Sequence, residues 1–313
     1  MQCPDAAWHR QITLRSGSDN TRHKRAVEKE YVMLSSGIPV ATLLDDPASV
    51  EKKLSFAASK DLIRAWDLGL FYLKTPDDLD LESARQFGRK LIASDSPHRQ
   101  VPHYGELEGF IALENNQQTK LALRRERWGQ HYPEHIAAFG RQLDAIGIAI
   151  IREVFRQSGI LEALWDRASG GYASGGGDAF LNFVYYDTRT PDWGLRPHTD
   201  YGFITILDAS APGLQIEVGG EFEDVPVLAS HFIINFGEAL NFITAHSNRA
   251  VSAVTHRVVS QQSTDPVRHS IVYFANPNLD GMLWQFDAAG KEQGSSKVQD
   301  LFAQLENSLT ETR

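Results

Sequence analysis

The chain has 313 residues, 42% of them hydrophobic, a formal net charge of −9 and a pI near 5.7. That length can bury a large core, and the acidic balance argues against general binding of nucleic acid or of an anionic membrane. The single cysteine, Cys3, excludes an intrachain disulfide and a cysteine-based zinc or iron–sulfur centre, so a reducing cytoplasm is the expected setting.

Met1 to Asn20 has no continuous apolar stretch, so no signal peptide is expected, and no run approaches the ~20 apolar residues of a membrane span. Residues 1–35 read as a polar arm whose Arg22-His23-Lys24-Arg25 cluster is a solvated face rather than a nucleic-acid patch. Residues 36–178 read as a mixed helical and strand part of one domain. Ile38 to Leu44 is an opening strand. The spacing of Leu54, Ala58, Leu62 and Trp66 predicts a helix over Ser49 to Asp67. Leu70 to Leu73 is a second strand, Leu79 to Ile92 a helix, and Pro133 to Ser158 a long amphipathic helix supporting a sheet. Arg124-Arg125-Glu126-Arg127 reads as a solvated face or as a carboxylate-binding lid. The glycines between Gly170 and Gly177 read as a flexible linker, because no Gly-Lys-Ser/Thr follows to make a phosphate loop.

From residue 179 to 280 short β-like runs alternate with turns, which predicts an eight-stranded jelly-roll core, a double-stranded β-helix. The fold class is therefore mainly β with flanking helices. A helical tail is expected over 281–313. In the core, His198-Thr199-Asp200 lies where a loop enters a strand, and residues two apart on a strand share a face. His256 sits in another β-like run, and Arg268-His269-Ser270 opens a third. Two neutral imidazoles and one carboxylate occupy one face of an octahedral metal and leave three positions open, the arrangement of non-haem Fe(II) oxygenases. Zinc accepts the same ligands but cannot activate dioxygen. Arg268 and Ser270 share a face, and a guanidinium beside a hydroxyl suits an anchored carboxylate. His231, His246 and His269 read as structural or exposed.

With these residues in this order, the chain resembles the isopenicillin N synthase-like branch of the 2-oxoglutarate and Fe(II)-dependent oxygenases. The likeness runs from about Ile38 to Pro277 and is most specific from Phe180 onward. It implies that His198, Asp200 and His256 ligate Fe(II), that Arg268 and Ser270 hold the far carboxylate of 2-oxoglutarate, and that O2 is the co-reactant. Within the branch the chain is most similar to the cephalosporin-forming ring expandases and hydroxylases, through Gly109 to Glu114 and Leu214 to Pro226. Where those enzymes carry two arginines on one strand, this chain has Asn182 and Val184, which removes the charge-assisted grip on a penicillin carboxylate. Asn182 and Val184 are expected to face the pocket by alternation, and Phe110, Phe203 and Leu214 are offered as an apolar wall or ordinary core. Tyr186 touches cosubstrate or substrate, or is a core or rim tyrosine. The retained Asp200 argues against halogenation.

The implied reaction is oxidation of an unactivated C–H bond by hydroxylation, desaturation, cyclisation or ring expansion. The implied partner is a small specialised metabolite, amino-acid or peptide derived, with no nucleic acid and no membrane. Two alternatives stand beside it: an oxidase of the same fold whose Arg-x-Ser serves a substrate carboxylate instead of 2-oxoglutarate, and a non-catalytic jelly-roll binding protein or zinc hydrolase.

Overall fold

The computed structural model describes residues 37–45, 52–91, 93, 95–105, 108–113, 118–189, 194–259 and 267–311. The expected N-terminal arm with its Arg22–Arg25 cluster, Glu114 and the first residues of the helix expected at Ser49 lie outside them. In chain order the strands are β1 Val40–Asp45, β2 Lys52–Phe56, β3 Leu70–Lys74, β4 Gly109–Leu113, β5 Gln118–Arg124, β6 Asp178–Asp187, β7 Leu195–His198 and β8 Ile204–Ala209. They continue as β9 Leu214–Val218, β10 Glu221–Asp224, β11 His231–Phe236, β12 His256–Val258, β13 Val267–Asn276, β14 Met282–Phe286 and β15 Glu292–Lys297. The helices used below are α1 Ser59–Leu68, α2 Leu81–Leu91, α3 Arg125–His131, α4 Glu134–Ser158, α5 Trp165–Ser169, α6 Glu238–Thr244 and α7 Val298–Glu311.

Among the described residues the strands form a nine-stranded sheet ordered β2-β1-β3-β11-β8-β13-β6-β5-β4, a four-stranded sheet ordered β10-β9-β12-β7, and the hairpin β14-β15. The two larger sheets face each other as a jelly roll, with the big sheet extended beyond the eight strands that sequence suggested. The nine-stranded sheet is covered on both faces, and its central strands read accordingly as nearly unbroken apolar runs. On one face Leu181, Phe183, Ile206, Ile234 and Tyr273 join the main core under α4, whose Ile136, Phe139, Leu143, Ile150 and Val154 point at them. On the other face Leu207 and Ile233 meet Leu214, Ile216 and Val218 of the small sheet. Strand alternation therefore sends Asn182, Val184 and Tyr186 of β6 between the sheets.

Three expectations are corrected. The apolar pattern over Ser49 to Asp67 contains a strand: Lys52–Phe56 pairs antiparallel with β1, and the helix starts only at Ser59. Leu54 and Ala58 fitted a helical period, but the long-range pairing with Leu43 and its neighbours wins. The glycine stretch is a packed turn, not a linker. Tyr172 in its middle is fully buried, and its hydroxyl meets Tyr273 Oη at 2.9 Å. The expected C-terminal helical tail begins with the β14-β15 hairpin, and only Val298 onward is helical.

The arginine cluster is likewise committed rather than simply solvated. Arg125 ion-pairs with the buried Asp144 of α4, Arg127 with Glu108 at 2.9 Å, and Arg124 with Glu108 and Asp178 at 3.4 and 3.8 Å. Asp144 also accepts the Tyr273 hydroxyl at 2.5 Å, so α3, α4 and β13 are tied by one buried polar cluster. Burial raises the hydroxyl pKa of Tyr172 and Tyr273 well above the usual tyrosine range, which keeps both as neutral donors. No helix among the described residues is long and apolar enough to cross a membrane.

Candidate metal centre and its two cavities

His198 ends β7 and His256 begins β12, and the two are direct cross-strand partners in the small sheet. Their rings lie 4.4 Å apart, centroid to centroid. Asp200 is placed by the loop after β7, which packs backbone to backbone against the start of α6: Glu238 N–H donates to Asp200 O at 2.8 Å and Gly237 N–H to Phe203 O at 2.9 Å. Two glycines make this approach possible. A Cβ on Gly202 would collide with Asn276 Oδ1, and one on Gly237 would collide with Gly202 O.

One ligand atom from each of His198, Asp200 and His256 lies within 4.8 Å of the others. Asp200 Oδ1 is 3.9 Å from His198 Nε2, and Oδ2 is 3.8 Å from His256 Nε2. The protonation state follows from the other ring nitrogens. His198 Nδ1 is 2.7 Å from Arg196 O and His256 Nδ1 is 3.1 Å from Val254 O. A carbonyl oxygen only accepts, so both Nδ1 atoms carry the proton and both Nε2 atoms present a lone pair to the centre. Burial, and then the neighbouring His256, pushes the His198 pKa below the usual histidine value, which favours this neutral form. Two lone pairs and a carboxylate converging without a donor between them repel one another unless a cation sits among them. The donor set therefore fits a divalent transition metal, with nitrogen and oxygen ligands and an open side. Thr205 on β8 donates to Asp200 Oδ2 at 2.5 Å and fixes the carboxylate.

Beside this centre is a cavity of about 180 Å³, reached by Arg268, Ser270, Tyr186, Asn182, Val184 and Leu214 among others. Arg268 is only 2% exposed. Its Nε donates to Pro212 O at 3.0 Å and Ala211 O at 3.2 Å, and one terminal nitrogen to Ser270 Oγ at 3.1 Å. Those partners are neutral, and no carboxylate among the described residues pairs with the guanidinium. A buried cation so placed calls for an anion. Tyr186 stands next to it, its ring 5.7 Å from the guanidinium carbon and its hydroxyl accepting from Gln118 Nε2 at 2.9 Å. Burial raises the Tyr186 pKa, so the ring stays neutral.

A second cavity, of about 510 Å³, adjoins the metal ligands and shares Lys120, Asn182, His198, Asp200 and Phe274 with the first. The structure thus brings together His198, Asp200, His256, Arg268, Ser270, Tyr186, Asn182, Val184 and Leu214. It does not bring in Phe110 or Phe203. Phe110 on the edge strand β4 packs against the main core and under the Arg99 guanidinium, and Phe203 is fully buried against Tyr172. His231 and His269 lie away from the metal ligands, on β11 and β13. Sequence reasoning missed Thr205, Asn235, Gln118 and Lys120. For Thr205 and Asn235 a signal existed: each is a polar residue enclosed by apolar ones, Thr205 within Ile204–Leu207 and Asn235 within Phe232–Phe236.

Residues 177–277 match the family model described as the 2OG-Fe(II) oxygenase superfamily. That stretch holds all five residues of the metal and Arg-x-Ser motif. Among curated relatives the chain is 41% identical over 102 residues to 1-aminocyclopropane-1-carboxylate oxidase 1 of Oryza sativa subsp. japonica, covering 32% of this chain and 30% of that protein. It is 37% identical over 141 residues to 1-aminocyclopropane-1-carboxylate oxidase 4 of Arabidopsis thaliana, covering 39% and 42%. The chain thus spans between 30% and 42% of the length of these curated relatives. Among solved structures the fold matches JOX2 in complex with 2OG, Fe and JA, with a TM-score of 0.65 and 21% identity over 86% of this chain and 84% of that one. It also matches the dioxygenase for auxin oxidation in rice, with a TM-score of 0.62 and 19% identity over 79% and 87%.

Proposed function

We propose that the protein is an Fe(II)- and 2-oxoglutarate-dependent oxygenase that oxidises an unactivated C–H bond of a small specialised metabolite, amino-acid or peptide derived. The observation that carries this reading is the buried Arg268 guanidinium, paired with no carboxylate among the described residues, in a cavity that also holds the three metal ligands. His198, Asp200 and His256 would hold the iron, with Thr205 orienting the carboxylate and the two backbone carbonyls orienting the imidazoles. Arg268 and Ser270 would hold the distal carboxylate of 2-oxoglutarate, and Tyr186 would pack along it. Leu207, Leu214, Val258 and Val272 line the same cavity and would keep bulk water away. The bound iron and 2-oxoglutarate supply the oxidising power: one oxygen atom of O2 leaves in succinate, with carbon dioxide released, and the other is available to the substrate. The orientation of the substrate against the metal then selects the outcome. The single cysteine, Cys3, supports work in a reducing cytoplasm.

The curated relatives favour one competing reading. They are named for oxidising 1-aminocyclopropane-1-carboxylate, and an oxidase of that kind would use Arg268 and Ser270 for the carboxylate of its own substrate. The finer likeness to cephalosporin-forming enzymes rests on two short stretches, and Asn182 and Val184 leave it without the cations a penicillin would require. Anaerobic addition of Fe(II) and 2-oxoglutarate is expected to give a weak visible charge-transfer band that is lost in Asp200→Ala. A screen of candidate metabolites is expected to find one that triggers succinate release. Oxygen uptake without succinate would establish the competing oxidase, which needs no such band, and failure of the intact protein to bind Fe(II) at all would sink both.

A further inference from the structure

Strand β5 runs beside β6, with Gln118, Lys120, Ala122 and Arg124 opposite Tyr186, Val184, Asn182 and Phe180. Leu121 and Leu123 point into the main core, so alternation sends the other four toward the site. The two cations of this face differ. Arg124 is committed to Glu108 and Asp178 and lies over the Phe180 ring. The Lys120 ammonium has no ion pair or hydrogen bond to any described residue. Lys120 is partly buried, and it lines both cavities, at the boundary where they share His198 and Asp200. Its backbone pairs with Val184 of β6, about 5 Å away.

The larger cavity has the complementary character for the rest of a ligand. Tyr104, Phe180, Phe274, Leu279 and Phe302 contribute apolar and aromatic surface, and its volume of about 510 Å³ is in the range filled by drug-sized molecules. The Asn182 Oδ1 atom is buried without a hydrogen-bond partner among the described residues, in both cavities. Building on the function proposed above, we infer that Lys120 is the specificity-determining cation for the substrate: it pairs with an anionic group, most simply a carboxylate, whose apolar or aromatic body fills the larger cavity. The 2-oxoglutarate carboxylate is served separately by Arg268, so the site holds two anions on two cations with the metal between them.

Burial lowers the Lys120 pKa below the usual lysine value. A base with a depressed folded-state pKa penalises folding while the pH is below that value, and the penalty is relieved as the pH climbs toward the ordinary lysine range. A lysine retained at such a cost is expected to serve a ligand. Removing it is expected to leave the fold unharmed or steadier, with Tm unchanged or up by about 1–3 °C in Lys120→Met.

The test uses phenylacetate through 5-phenylpentanoate, each with its amide, titrated by ligand-observed NMR into the metal-free protein and into the anaerobic Fe(II) and 2-oxoglutarate complex. At least one carboxylate is expected to bind about 10-fold tighter than its amide, with the preference abolished in Lys120→Met, retained in Lys120→Arg, and fading as the pH rises through the lowered lysine pKa. In the iron complex, line broadening of the bound probe is expected to place it beside the metal. Absence of binding by the whole series, equal binding of acid and amide, or a preference that survives Lys120→Met overturns the assignment. So does a fall in Tm of several degrees, which would make Lys120 half of a structural ion pair. A raised 2-oxoglutarate requirement with unchanged probe selectivity would move Lys120 to the cosubstrate and overturn it too. Because the metal-free arm needs neither iron nor 2-oxoglutarate, failure of the charge-transfer band there leaves the lysine test standing and is read separately.

Discussion

The two cavities that meet at His198 and Asp200 are built on opposite principles. The smaller one, about 180 Å³, ends in a guanidinium that is 2% exposed, held by two backbone carbonyls and a serine, and flanked by a neutral tyrosine. The larger one, about 510 Å³, is walled by aromatic rings and carries a flexible ammonium at its inner edge. A planar fork fixed in place suits one ligand of constant geometry, whereas a point charge on a four-carbon stem tolerates variation in where the anion lies. The contrast teaches which side of the metal is committed in advance and which is left to adapt to its guest.

The largest expected break in this comparison comes at the point the cavities share. His256→Ala removes one of three ligands, and iron affinity measured by chelator competition is expected to fall on the order of 100-fold or more, with loss of the charge-transfer band. Unchanged iron binding would show that the metal, if any, sits elsewhere. Next in size is the closed cavity alone. Arg268→Gln deletes a charge-assisted pair worth about 1.5–3 kcal/mol per bond, so the 2-oxoglutarate concentration at half-saturation of the band is expected to rise by roughly 10- to 100-fold. Arg268→Lys should recover only part of this, because it restores the charge without the fork. An unaltered half-saturation would hand Arg268 to the substrate instead. Smallest is Thr205→Val, which keeps the shape and removes the bond that orients Asp200. About 10-fold weaker iron binding is expected by the same competition assay, with 2-oxoglutarate affinity in the iron-saturated protein barely moved.

Legibility of the site in the sequence divides along the same line. The committed half could be read because each of its parts is local. His198 and Asp200 are two apart at a strand entry, Arg268 and Ser270 two apart on a strand, and successive β6 side chains take opposite faces of the sheet, which sends Asn182, Val184 and Tyr186 to the cavity side. The adaptable half was not readable because it depends on pairing. Lys120 stands in a strand whose alternation is carried by Leu121 and Leu123 alone, and its meaning comes only from register with Val184 across β5 and β6. Phe110 and Phe203 show the converse: both are aromatic and close in sequence to site residues, yet both pack against the main core. The helix expected at Ser49 failed for a related reason, since Leu54 satisfies a helical spacing and a cross-strand pair with Leu43 equally well.

The three metal ligands and the Arg-x-Ser pair do not belong to the same layer. His198 and His256 are neighbours in the four-stranded sheet, whereas Arg268 and Ser270 ride on β13 in the nine-stranded one. A dicarboxylate reaching from the metal to Arg268 would therefore be a strut between two sheets that otherwise meet through an apolar cluster and the Thr205–Asp200 hydrogen bond. Linkage then requires reciprocity: by whatever factor the metal tightens the dicarboxylate, the dicarboxylate must tighten the metal, and both must resist unfolding together. Bound in this way, 2-oxoglutarate would be a removable part of the protein's interior, and its depletion would loosen the hold on iron.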